Sequence, residues 1–232
     1  HRNTYTAAIK SAGAPMGFIT EEDNFADYPF IVAPAYQLID QKLVGKWQKY
    51  VENGGNLILT CRTGQKDKNG HFFEANWSAP IVPLIGADVE FFDMLVADVN
   101  GTVKAGENSY KWNTWADVLN PKKGTEVLAT YEDQFYKGNA AATTRKLGKG
   151  TVTYVGVESN DGDFERQIVR TIYSRANVAI EDLPKGVFIE WRDGFYVGVN
   201  YTSEPINLPI PKGSKIVVGQ NPLQPAQAVI WK

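Results

Sequence analysis

Tyr28 to Cys61 reads YPFIVAPAYQLIDQKLVGKWQKYVENGGNLILTC, and this stretch decides the fold. Its first seven residues are a continuous apolar run closed by Pro34, the pattern of a strand buried on both faces. A helix follows. Asp40 is placed to cap it by accepting an orphan backbone N–H, and Ile39 and Val44 are spaced for a hydrophobic staple. Leu43, Val44, Trp47, Tyr50 and Val51 fall on one face at helical spacing. Gly54-Gly55 stops the helix, and Asn56–Cys61 is a second buried strand. Strand, helix and strand joined by short links make a right-handed βαβ unit, which lies in a parallel sheet.

Working outward, Tyr5–Ala12 reads as a short helix ended by Gly13, and Pro15–Ile19 as a possible strand. Beyond Cys61 comes a polar loop, Lys66–His71, then mixed segments through Asn120. Glu126–Tyr131 and Ala142–Val157 read as strands, the latter folded into a hairpin at Gly148–Gly150. A second helix begins near Asp161, with Phe164, Ile168, Ile172 and Ala176 repeating every four residues. The pattern changes after Asn177. Gly186–Thr202 forms two alternating strands around Asp193-Gly194, a strong hairpin signal. Ile206, Leu208 and Ile210 alternate with polar or proline positions, and Gln227–Lys232 is a last strand. The chain therefore divides into an α/β part, residues 1–179, with an open, mostly parallel sheet flanked by helices, and a small all-β part, residues 180–232. The second part buries too little surface to be very stable alone.

The 232 residues are 43% hydrophobic and 22% charged, with a net charge of −2. This is ordinary globular usage with a real core. No basic excess points to nucleic acid, and no apolar run reaches the roughly 18 residues a membrane span needs. The chain opens at His1 rather than Met, which favours a piece of a longer protein. One cysteine excludes an internal disulfide and a cysteine-based metal cluster.

That cysteine, Cys61, sits where an open α/β sheet places its chemistry, at the carboxyl end of a strand. A nucleophilic thiol needs a sharp strand-to-helix elbow and a base. Thr60 and Arg62 flank it, no helix follows it, and the two histidines are the terminal His1 and His71 in a polar loop. The sequence therefore favours a small buried residue. The acidic run Glu158–Glu165 lacks the spacing of a calcium loop and suits a helix N-terminus. No pair of carboxylates stands out as glycosidase machinery, and 232 residues fall short of a complete (β/α)8 barrel. No metal or other cofactor is expected. Trp112 and Trp115 sit in a polar segment, where large aromatics mark either core, an interface or a sugar-stacking surface.

Several stretches together resemble the trimerisation domain of family 42 β-galactosidases. They are the apolar strand ending in Ala33-Pro34, the helix running into Val51-Glu52-Asn53-Gly54-Gly55, and the strand ending near Arg62-Thr63-Gly64. Later comes Tyr136-Lys137-Gly138-Asn139-Ala140-Ala141, leading to Gly148-Lys149-Gly150 and a strand. The tail from Gly186, with Asn200 and Pro205, is similar to the small C-terminal β domain of those enzymes. The resemblance implies a fold like class I glutamine amidotransferases, or flavodoxin-like, without their nucleophile and used for assembly. It implies a longer parent that hydrolyses terminal β-D-galactosides with two carboxyl groups on an upstream (β/α)8 barrel. The expected partners are that barrel and two further copies in a homotrimer, with neither nucleic acid nor membrane. Arg62, Thr63 and Gly64, with Trp112 and Trp115, become candidates for interface or sugar contact. Two alternatives stay open: a carbohydrate-binding module using Trp112 and Trp115, and a cysteine-dependent amidotransferase-like hydrolase using Cys61.

Overall fold

A computed structural model describes residues 1–74, 76 and 78–232. The elements in chain order are α1 (Arg2–Ser11), β1 (Phe30–Ala33), α2 (Gln41–Glu52), β2 (Asn56–Thr60), α3 (Val82–Ile85), β3 (Ala87–Asp93), β4 (Gly101–Ala105), β5 (Asn108–Pro121), β6 (Thr125–Tyr131), β7 (Ala140–Leu147), β8 (Gly150–Val155), β9 (Val157–Ser159), α4 (Asp163–Arg175), β10 (Val187–Arg192), β11 (Phe195–Asn200), β12 (Ile216–Val218) and β13 (Ala228–Trp231). They fall into two compact units. The first comprises His1 and Ile19–Phe164, the second Arg2–Phe18 and Glu165–Lys232.

The first unit is built on the expected βαβ core. Asp40 accepts from the backbone N–H of Leu43 at 2.7 Å, and Ile39, Val44, Trp47 and Val51 are buried. Helix α2 delivers the chain so that β1 pairs parallel with β2, Ile31 opposite Leu57 and Ala33 opposite Leu59. β2 in turn pairs parallel with β8. The core gathers Ile31, Ile39, Trp47, Leu57, Leu59, Ile85 and Tyr154 into one apolar cluster.

The mostly parallel sheet expected from the sequence is not what the chain builds. The described residues of this unit form a mixed, nine-stranded sheet in the order β1-β2-β8-β7-β6-β4-β5-β3, with β9 on β5. Only its β1-β2-β8 portion is parallel. From β3 to β8 the links are too short for a crossover, so neighbouring strands reverse. A two-residue turn, Gly148-Lys149, fixes β7 against β8 with Leu147 opposite Gly150. Strands β3, β4 and β5 were hidden in the segment read as mixed. β5 is interrupted by Thr114 at φ +77° and by a register shift between Trp112 and Ala116, which destroys a clean period of two.

In the second unit, a four-stranded sheet has the order β10-β11-β13-β12. Asp193 and Gly194, both at positive φ, turn β10 into β11 as the Asp-Gly pair predicts. Leu183, Val187, Ile189, Leu208, Leu223, Val229 and Trp231 form its core. Helix α1 packs against β10, and Lys10 of α1 pairs with Glu190. Buried Asn200 ties the following loop down: its amide donates to the carbonyls of Glu204 and Leu223, and its oxygen accepts from Thr202.

One further expectation needs correction. Pro15–Ile19, expected as a possible strand, is irregular, and the alternating Ile206–Ile210 stretch contributes only one bridge, from Ile206 to Leu223. Proline removes ladder donors in both segments. Among the described residues no helix is long and apolar enough to cross a membrane.

Candidate functional site

The carboxyl end of β2 is where the sequence concentrates its chemical question. Thr60 ends the strand and its hydroxyl accepts from the backbone N–H of Ala35 at 2.7 Å. The chain then turns. Cys61 N–H donates to the carbonyl of Val155 at 2.7 Å. Both the backbone and the hydroxyl of Thr63 donate to the carbonyl of Thr60, at 3.2 and 2.6 Å. Arg62 takes the left-handed conformation at φ +68°, which costs a side-chain-bearing residue free energy and persists only where the surroundings hold it. A closed turn therefore replaces the strand-to-helix elbow of a nucleophile.

Cys61 is fully buried. Its Sγ lies 3.4 Å from Nε2 of His1, the terminal histidine that nothing in the sequence placed beside it. The pairing supplies a base within reach of the thiol. It does not supply access, since a sulfur wholly covered by protein cannot meet a carbonyl carbon.

What holds the turn is Asp117 of β5, also fully buried. Its carboxylate accepts from the Arg62 backbone N–H at 3.0 Å, the Trp115 indole N–H at 2.7 Å and the Tyr154 hydroxyl at 2.8 Å. Its backbone carbonyl accepts from the Tyr131 hydroxyl at 2.9 Å. Burial pushes the acid up to about 6, with the bonds from Trp115, Arg62 and Tyr154 pulling the other way. Burial first, and the Asp117 charge second, hold both tyrosines far above the ordinary phenol range. They remain donors at any physiological pH. The network is a structural staple between β2, β5 and β8 rather than proton-transfer machinery, because its carboxylate is occupied by fixed donors.

The sequence candidates separate by burial. Thr63 and Gly64 lie inside the turn, covered. Trp112 is fully buried, its ring edge-on to Tyr131 at 5.9 Å. It offers no face to a sugar or a partner, which corrects its candidacy as a contact residue. Arg62 and Trp115 are half-exposed and belong together. The Arg62 guanidinium lies 4.7 Å from the Trp115 ring centre, and Phe92 of β3 stacks on the same ring at 4.4 Å, nearly parallel. A sugar would have to compete with groups already stacked there. The sequence reading missed Asp117 and Phe92, since neither carries a local motif; only the fold brings them to Arg62. The acidic run before α4 is consumed locally. The Ser159 hydroxyl accepts from the backbone N–H groups of Gly162 and Phe164, and Asp161 accepts from that of Asp163.

Residues 1–179 match the family described as the beta-galactosidase trimerisation domain. The chain is 30% identical over 222 residues to the beta-galactosidase BgaH of Haloferax lucentense, covering 95% of this chain and 33% of that protein. It is 32% identical over 214 residues to the beta-galactosidase BglY of Alicyclobacillus acidocaldarius, covering 85% of this chain and 30% of the relative. A solved structure, the polyextremophilic beta-galactosidase of Halorubrum lacusprofundi, superposes over all of this chain and 35% of its own, with a TM-score of 0.90 and 26% identity. The chain thus spans about a third of the length of these relatives.

Proposed function

The chain belongs to the β-galactosidase trimerisation domain family, and from that premise we infer that it is the assembly portion of a longer enzyme and performs no chemistry itself. Residues 1–179 are proposed as the assembly domain, its β1-β2-β8 core kin to the amidotransferase or flavodoxin sheet, and residues 180–232 as an accessory β domain. The parent is proposed to hydrolyse terminal β-D-galactosides through two carboxyl groups on a (β/α)8 barrel outside this chain, and to work as a trimer.

One observation carries this reading. The sheet edge that would hold a nucleophile carries a fully buried thiol in a closed turn, stapled by a buried carboxylate that accepts three fixed donors. Neither alternative gains from the geometry. A cysteine hydrolase needs an exposed sulfur, and a module using both tryptophans needs Trp112 at the surface. The test is direct. The chain alone, incubated with a nitrophenyl β-D-galactoside, releases no nitrophenol above a protein-free blank. Turnover that persists after repurification rejects the assignment.

A further inference from the structure

We propose that the outer end of the β10–β11 hairpin is a stacking platform for a terminal β-D-galactosyl ring, with Trp191 and Tyr196 as its floor. The inference rests on the reading above, which gives the longer enzyme β-D-galactosides as substrates and leaves the accessory β domain without a role.

Strand register builds the platform. Trp191 of β10 lies directly opposite Tyr196 of β11, Tyr196 opposite Trp231 of β13, and Trp231 opposite Ile216 of β12. Directly opposed residues share one face of a sheet, so these four side chains form a single row. The row lies on the core face, because Val187 and Ile189 precede Trp191 at a period of two and are buried. Trp231 is buried as well, whereas Trp191 is 48% and Tyr196 45% exposed. The core therefore ends inside the row, and two of its rings stand in water. Tyr196 stacks on Trp231 at 5.6 Å with planes 16° apart, so a buried ring backs it and its exposed part faces away from that ring. Neither the Trp191 indole N–H nor the Tyr196 hydroxyl is bonded to another described residue, which leaves both polar edges to a ligand.

The size of the platform selects its occupant. At roughly 200 Å2 for a large aromatic side chain, the two rings together expose roughly 200 Å2. A protein partner takes about 800 Å2 from each side, far more than the rings offer. One sugar ring suits the area. The face of an aromatic ring is the negative part of its quadrupole and attracts C–H groups that carry partial positive charge. In a β-D-galactosyl ring the axial 4-hydroxyl leaves the hydrogens of C3, C4 and C5 together on one face. The equatorial 4-hydroxyl of a glucosyl ring breaks that C–H surface, so the platform favours the galactoside over its epimer. Asp193, in the turn that joins the two strands, adds an exposed carboxylate with no partner among the described residues, an acceptor for sugar hydroxyls at the same end of the hairpin. Trp112 and Trp115 offer no such surface, one being buried and the other already stacked.

The experiment is saturation-transfer difference NMR on the 232-residue chain, with methyl β-D-galactoside and methyl β-D-glucoside as probes. The galactoside receives saturation, most strongly at the protons of C3, C4 and C5, and the glucoside receives much less. Trp191→Ala and Tyr196→Ala each raise the dissociation constant of the galactoside by about tenfold. Both positions are exposed, and near-ultraviolet circular dichroism checks that the fold survives. Phe135→Ala, which removes an exposed aromatic of the first unit, leaves binding unchanged. A measurement on the unaltered chain accompanies these: the indole N–H resonance of Trp191 moves as the galactoside is added, while that of buried Trp112 stays. No transfer to the galactoside, equal transfer to both epimers, or binding untouched in folded Trp191→Ala overturns the platform and leaves the assembly reading standing. Self-association that Trp191→Ala abolishes, read by sedimentation velocity, assigns this face to a protein partner and overturns the platform equally. Hydrolysis of the galactoside, followed in the same spectra, overturns the reading that the chain performs no chemistry.

Discussion

Asp117 shows how one buried side chain can organise an edge that looks, in sequence, as though it belonged to a cysteine. Its acid is pushed from an ordinary 3.8 up to about 6, so the folded chain holds that proton more tightly than the unfolded chain does. Stability from this group is therefore greatest below the unfolded value, falls as pH rises from about 4 to 6, and stays at its lowest above 6. The gap corresponds to about 3 kcal/mol. Asp117→Asn removes that titration. Relative to the unaltered chain, the variant should gain up to about 3 kcal/mol between pH 4 and pH 7, read from urea unfolding at each pH. A difference independent of pH contradicts the assignment. Trp115 reports the same event, since its indole N–H donates to this carboxylate: its fluorescence should titrate with a midpoint near 6 in the unaltered chain and stay flat in Asp117→Asn. None of this was legible at the residue scale. Asp117 sits among alternating residues with no motif, and its importance comes from Arg62 and Tyr154, 55 and 37 positions away. The structural role of Cys61 was legible, because its neighbours already argued against an elbow. The imidazole beside it was not, because chain distance hides contact.

At the scale of elements, the sequence spoke clearly where one local signal agreed with the next. β1, α2 and β2 were readable because cap, staple, apolar face and glycine stop coincide within 34 residues. Removing one of these signals should cost its ordinary share: Asp40→Ala is expected to lower stability by about 1 kcal/mol, measured by thermal or urea denaturation, and no change indicates that the cap bond contributes nothing. The β7–β8 hairpin was equally clear from its glycines, and the structure shows why Gly150 is required. A Cβ there would lie 2.0 Å from the carbonyl oxygen of Gly55, where β8 passes the end of α2. Gly150→Val should cost more than about 3 kcal/mol or leave the chain insoluble; a variant that melts at the unaltered temperature contradicts this close approach. The direction of the sheet was misread because βαβ logic was extended past β2. Direction is set by connection length, and the connections after β3 are turns. Trp112 and Trp115 differ by an odd number of positions with a bulge between them, so neither shared fate nor alternation could be read from spacing.

At the scale of the whole molecule, the chain spans about a third of its relatives, and its proposed worth lies in contact rather than chemistry. The carboxyl edge of the parallel strands is closed by a staple. Assembly was legible from the resemblance of scattered motifs in the right order. The most direct test of the account is the mass of the unaltered chain by sedimentation equilibrium across a wide concentration range. The account predicts a concentration-dependent rise from one chain to three; a single-chain mass at every concentration contradicts it.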